Sequence, residues 1–299
     1  MAWVFLAVMA AAFQTLRFML QKSLSMGALS AGGATLARFL YSAPFVALGA
    51  SLYLLARGGG LPALGPLFWP YALSGALAQI LATWCVVALF ARRNFAVGIT
   101  FKKTEVMLTA LVGYLVLGDT VSPGALAAIG AGLAGVLILS DVPEGMGGLL
   151  RRAVNPAAGL GLLSGVLFAV SAVAYRGATF EVLTDDSLAR ALVTLAVVTV
   201  SQTIGLGLWL RMRAPGQLSA VLGAWRRAVW IGLAGLGGSL GWFWAFTLMN
   251  AAYVFAVGQV EVIFSVLASV WFFSERITRR EWAGMGLITL SVIALVVLA

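Results

Sequence analysis

The chain has no histidine and a single cysteine, Cys85, among 299 residues. The missing histidine removes the commonest general base and metal ligand. One cysteine excludes an intrachain disulfide and a cysteine metal site. Charge is scarce as well: 10% of residues are charged and ten are acidic. A soluble protein of this length would expose far more. The longest loop between apolar blocks is about 17 residues, which leaves no room for a soluble domain. No glycine-rich phosphate loop is present, so ATP does not drive this chain by itself. With so little surface chemistry and no metal or nucleotide motif, no cofactor is expected.

What the chain does have is hydrophobicity: 62% of residues are hydrophobic and the mean hydropathy is +1.03. The apolar residues come in long blocks and do not alternate, which predicts helices, not barrel strands. Ten blocks approach the ~20 residues needed to cross a bilayer core. They lie at 3–22, 33–56, 68–91, 95–117, 121–140, 156–177, 188–210, 228–249, 252–273 and 279–298. The first block has neither a basic leader nor a clear cleavage site and reads as retained.

The net charge is +9. In a soluble protein that would point to nucleic acid, but here the bases follow the loops. The odd-numbered loops hold Lys22, Arg92, Arg93, Arg151, Arg152, Arg211, Arg213, Arg226, Arg227, Arg276, Arg279 and Arg280. The even-numbered loops hold Arg57, with Arg176 and Arg190 at span ends beside Glu181, Asp185 and Asp186. The positive-inside rule then puts the odd loops in the cytoplasm and both termini outside. The expected partners are a lipid bilayer and a small molecule, with no nucleic acid; a monomer suffices in principle.

Glu105 and Glu261 each fall within an apolar block, and a step of 156 residues separates them. The same step carries Asn94 onto Asn250 and Asp119 onto Glu275. Over residues 90–139, ten of fifty positions are identical to those 156 residues later. The Asn and Glu matches weigh most, because those residues are rare here. A unit of five spans reverses direction on repetition, so the second copy enters the membrane inverted. The expected fold is an all-α polytopic membrane protein. It forms one transport domain, 1–299, of ten transmembrane helices in two inverted five-helix repeats, 1–141 and 156–299.

Two stretches carry a resemblance. Spans four and five read TEVMLTALVGYLVLGDTVSPGALAAIGAGLAGVLIL, and spans nine and ten read VEVIFSVLASVWFFSERITRREWAGMGLITLSVIALVVL. Each has an acid at its short turn, Asp119 or Glu275, followed by a glycine-bearing apolar span. With five-plus-five spans, the chain resembles the drug/metabolite transporter superfamily, EamA type. Within it, length and general character make the chain similar to the YddG-type amino-acid exporters. The resemblance implies export of amino acids and related metabolites across a bacterial inner membrane. Small multidrug relatives carry an essential acid in the first span, where this chain has Gln14.

Polar residues inside membrane spans usually face a cavity or a partner. Gln14, Arg17 and Gln21 form a stripe on span one; Arg17 could instead snorkel to the interface. On span four, Lys102 and Glu105 are spaced to pair, with Thr109 one turn on. Span nine offers Tyr253, Glu261 and Ser265, and Gly258 stands where Lys102 stands in the first half. Gln259 points away from Glu261, toward another helix. Gln79, Thr83 and Trp84 on span three, Ser171 and Tyr175 on span six, and Ser239, Trp242 and Phe246 on span eight complete the candidates. The expected substrate-binding set is Gln14, Arg17, Gln79, Thr83, Trp84, Lys102, Glu105, Tyr175, Trp242, Tyr253 and Glu261. Glu261 is the favoured proton-coupling residue, because no base stands beside it in its own half, and Glu105 is second. Gly130, Gly132, Gly284 and Gly286 are expected to serve helix packing.

The leading reading is a secondary active exporter of amino acids and related small metabolites, working by alternating access. The alternatives are an exporter of cationic drugs or a carrier of phosphorylated metabolites. A membrane enzyme or a passive channel fits less well.

Overall fold

A computed structural model describes residues 1–25, 27, 29–90, 102–139, 156–273 and 279–298. Twelve helices are described: α1 (Ala2–Ser25), α2 (Ala31–Ala56), α3 (Phe68–Phe90), α4 (Glu105–Leu117), α5 (Pro123–Leu139) and α6 (Pro156–Phe180), then α7 (Ser187–Arg213), α8 (Gln217–Gly223), α9 (Trp225–Leu248), α10 (Ala251–Val257), α11 (Val260–Phe273) and α12 (Arg279–Leu298). Among the described residues the one β feature is an antiparallel bridge between Leu64 and Val182. Asn94, Glu275, Arg92, Arg93, Arg151, Arg152, Arg276 and the side chain of Ser265 lie outside what is described.

Among the described residues six helices are long and apolar enough to cross a membrane: α1, α2, α3, α6, α7 and α9. Shorter apolar helical segments follow at 105–117, 123–136, 251–264 and 282–298. The residue distribution is that of a membrane protein. Leu48, Leu115, Leu208 and Val297 are exposed on the outside, while Arg17, Gln21, Lys102 and Gln202 are buried inside. Helices suit this setting because each one satisfies its own backbone groups away from water.

Local chemistry sets the helix ends. The Ser30 hydroxyl accepts from Gly33 N–H at 3.1 Å and starts α2. Asp186 accepts from Leu188 and Ala189 N–H and starts α7. Asn250 accepts from Ala252 N–H at 2.9 Å and starts α10. Gly118 ends α4 at φ 69°, a conformation that favours glycine. Its own N–H and that of Asp119 then reach the carbonyls of Tyr114 and Gly113, which sets Asp119 just beyond the helix end.

Two features depart from the expected spans. The block at 252–273 is not one continuous α-helix. Between α10 and α11 the N–H groups of Gln259, Glu261 and Val262 bond three residues back, so the chain tightens into a 3₁₀-like turn. At the corresponding place in the first half, Lys103 and Thr104 form a turn before α4. The other departure is α8, a short helix in the loop after α7, whose Gln217 side chain accepts from Ser30 N–H at 3.0 Å.

The helices pack in pairs: α1 along α9, α3 along α6, α2 along α7, and α5 along α12. Small residues bring two of these pairs close. A Cβ on Gly241 would stand 2.9 Å from Ala10 of α1, and one on Gly135 the same distance from the Gly284 carbonyl of α12. Gly132 faces Ser291 and Gln259 across the α5–α12 contact. Gly130 and Gly286, also expected to serve packing, have nothing within 4 Å, so packing explains only part of that glycine set.

Candidate functional site

Helices from both halves converge on a narrow cavity. Its wall includes Gln14 of α1, Gln79 of α3, Lys102, Glu105 of α4 and Tyr175 of α6, with Trp242 of α9, Gly258 and Glu261 opposite. Ser171, Ser239 and Phe246 complete the polar and aromatic lining foreseen from the sequence. The free space is about 20 Å³, room for about one water. The site is therefore held shut around its polar side chains.

Those side chains form a continuous chain of contacts. The Trp242 indole N–H donates to Gln14 Oε1 at 3.2 Å. The Gln14 amide donates to Glu261 Oε2 at 3.0 Å. Lys103 Nζ donates to the same oxygen at 2.6 Å, and Lys102 Nζ lies 3.9 Å from it. Lys102 also pairs with Glu105 at 3.0 Å and stands 4.8 Å from the centre of the Phe168 ring. Apart from the Lys102–Glu105 pair, these contacts join one half of the chain to the other.

The pairing revises the expectation about the two acids. Glycine stands at 258 on Glu261's own side, as the sequence has it, and Lys103 reaches Glu261 from the other half. Glu261 is thus more heavily engaged than Glu105. Gln259, as expected, turns away from Glu261 toward Gly132 of α5.

Other predicted residues stand around the cavity. Arg17 does not snorkel to an interface: it is 1% exposed and donates to Gln21 at 2.8 Å. Thr83 is buried behind the wall and accepts from Arg38 at 3.1 Å. Trp84 lies elsewhere, stacked edge-on against Trp209 along an apolar groove between α3 and α7. Tyr253 also stands apart, with its hydroxyl accepting from Ser122 N–H at 3.4 Å.

Tyr253 belongs to a closed face on the side of the even-numbered loops. There Arg176 grips Asp119 with two nitrogens, at 2.8 and 3.3 Å, and donates to the carbonyls of Phe246 and Met249. The Asn250 amide donates to the Thr120 carbonyl. Next to it, Tyr53 donates to Asp186 at 2.7 Å and Arg57 pairs with the same carboxylate at 3.2 Å.

Two central residues escaped the sequence reading. Arg38 of α2 donates to Thr83 and to Ser239, each at 3.1 Å. Gln202 of α7 is 1% exposed and donates to Gln79 and to the Tyr175 hydroxyl, each at 3.1 Å. Both are polar groups deep in apolar blocks, the signal that picked out Glu105.

Residues 155–297, just under half of the chain, match the EamA-like transporter family. No curated protein matches the chain. A crystal structure of another protein aligns over 98% of both chains, with a TM-score of 0.67 and 17% sequence identity, which is a likeness of fold. The second half of the chain is thus similar to a family of membrane transporters, and the bilayer-length helices of the first half agree with a multi-pass membrane protein.

Proposed function

We propose that the chain is a secondary active transporter that exports amino acids and related small metabolites from the cytoplasm of a bacterium. Substrate enters the cavity around Gln14, Trp242 and Glu261, and two inverted five-helix repeats rock about it. The observation that carries this reading is the cross-half ion network. Lys102 and Lys103 from the first half hold Glu261 of the second at the centre of the protein. Charges buried in a membrane protein mark a pathway for substrate or ions.

The helix pairing supports the repeat. Exchanging the halves carries the α3–α6 contact onto the α9–α1 contact, while α2–α7 and α5–α12 each map onto themselves. The arginines of the odd-numbered loops favour an orientation with those loops in the cytoplasm. The Arg176–Asp119 clamp would then close the outer side.

Glu261 and Glu105 are the proton-coupling candidates. The test is flux into proteoliposomes across an imposed pH gradient, with Glu105→Gln and Glu261→Gln beside the wild type. Loss of gradient-driven flux in Glu261→Gln, with exchange retained, is the expected result. If both variants follow the gradient like the wild type, the coupling assignment fails. A cationic-drug exporter fits less well, because the buried charge around this cavity is net positive.

A further inference from the structure

We propose that Arg17 and Arg38 form an oxyanion-binding site that takes the acidic group of the transported molecule, so that the substrate carries net negative charge. This rests on the transporter reading and narrows its substrate class to anions: acidic amino acids, organic diacids or phosphorylated metabolites.

Buried charge around the cavity is out of balance. Around the cavity four cations, Arg17, Arg38, Lys102 and Lys103, are at most 3% exposed. Among the described residues two carboxylates, Glu105 at 6% and Glu261 at 7%, are buried with them. Each lysine is paired with a carboxylate. Among the described residues neither guanidinium has a carboxylate partner. Arg38 donates to the hydroxyls of Thr83 and Ser239. Arg17 bonds to the Gln21 amide, and its Nη2 is buried with no hydrogen-bond partner. Glu261 lies within electrostatic reach of Arg17, as does Arg38, but Glu261 is already held by Lys103. Two positive charges are left over in a medium that penalises them unless an anion is near.

The two arginines flank Gly235 of α9, where a Cβ would stand 3.0 Å from Arg38 Cγ and 3.5 Å from Arg17 Cδ. Two like charges drawn together around a glycine form a cradle that lacks its counter-charge. The cradle adjoins the central cavity, because Ser239 both lines that cavity and accepts from Arg38. It lies toward the odd-numbered loops: Arg17 follows Gln14 by one turn on the way to the end of α1, and Arg38 is about two turns from the start of α2. The Arg176–Asp119 clamp closes the opposite face. An anion arriving from the odd-loop side would meet the guanidiniums before the Lys103–Glu261 pair. A planar guanidinium fork matches a carboxylate or a phosphoryl group with two parallel bonds.

The experiment measures ligand-induced thermal stabilisation of the purified full-length protein in neutral detergent. The probes are inorganic phosphate, glycerol phosphate, succinate, glutamate, leucine and tetraphenylphosphonium, matched in ionic strength. Binding to the folded state raises the midpoint by mass action. The phosphates or the carboxylates should raise it, and which of them does so identifies the acidic group. Leucine and the cation should not. Arg38→Gln and Arg17→Gln should weaken the effective anion by about tenfold or more, while Arg38→Lys should retain part of the affinity. Should the glutamine variants fail to fold, the wild-type series decides by itself. A midpoint moved by leucine or by the cation and by no anion overturns the proposal, as does a series in which nothing binds, or anion binding unchanged in the arginine variants. Counterflow in proteoliposomes separates this from the broader reading. Saturable exchange of leucine with no anion response sinks the anion site alone. Anion binding without exchange of any probe sinks the transporter reading alone.

Discussion

At the scale of single residues, the informative signal is polarity where the chain is otherwise apolar. Glu105, Glu261 and Gln14 stand out in the sequence because each interrupts a hydrophobic block, and all three line the cavity. Arg38 and Gln202 interrupt apolar blocks in the same way and are central in the fold. The Lys103–Glu261 bond was not legible, since its partners lie 158 positions apart and only the fold joins them. Removing one partner of a buried ion pair leaves the other charge uncompensated, at a cost of about 3–5 kcal/mol. Lys103→Gln should therefore lower the thermal midpoint sharply, and Lys103→Gln with Glu261→Gln should recover part of the loss; strictly additive effects would mean the pair is not coupled.

Asp186 makes a separate residue-scale case outside the membrane spans. Partial burial pushes its carboxyl up, but hydrogen bonds from Tyr53, Ala189 and Leu188, together with the charge of Arg57, outweigh this and hold it below the usual carboxylate range. With the folded value depressed, its contribution is fully present above the unfolded value. It is lost as pH falls through the folded one. Asp186→Ala should cost about 0.5–2 kcal/mol at neutral pH, the usual worth of a helix cap. That deficit should shrink as pH falls below about 4, the usual carboxylate value, and on through the lower value at which the folded carboxylate takes up a proton. A deficit that persists unchanged in acid would contradict the assignment.

At the scale of elements, the apolar blocks located the helices because a bilayer asks for long uninterrupted hydrophobic runs. They could not show the turn at 103–104 or the tightened one at 258–259, since hydropathy is blind to a local change of backbone geometry. They also could not show α8, which is too short for any block pattern. Gly258 is where the turn matters most. A Cβ there would run into the Trp242 ring, whose indole holds Gln14. Gly258→Ala should destabilise by about 1–3 kcal/mol through overpacking and impair transport. Gly286 is the contrast, with open space around it inside α12. Gly286→Ala should be neutral or stabilise by up to about 1 kcal/mol through helix propensity. Equal midpoints for the two variants would refute this difference.

At the scale of the whole molecule, the 156-residue step in the sequence and the symmetry of the helix pairing point the same way. The even-loop face is legible only in part: the repeat step marks Asp119, while its partner Arg176 is in sequence one more charge at a span end. The proposed orientation is checked by accessibility. In intact cells Arg57→Cys should react with an impermeant maleimide from outside, while Arg226→Cys should react only after permeabilisation. Cys85 is buried and adds little background. The reverse pattern would invert the topology.

Counterflow decides whether the cavity between the two halves carries a solute across the membrane. Proteoliposomes are loaded with an unlabelled ligand chosen from the stabilisation series and diluted into its labelled form. A transporter that alternates its access predicts a transient, saturable accumulation of label above equilibrium, which disappears when the load is omitted. Uptake that is linear in concentration and indifferent to the load would contradict it.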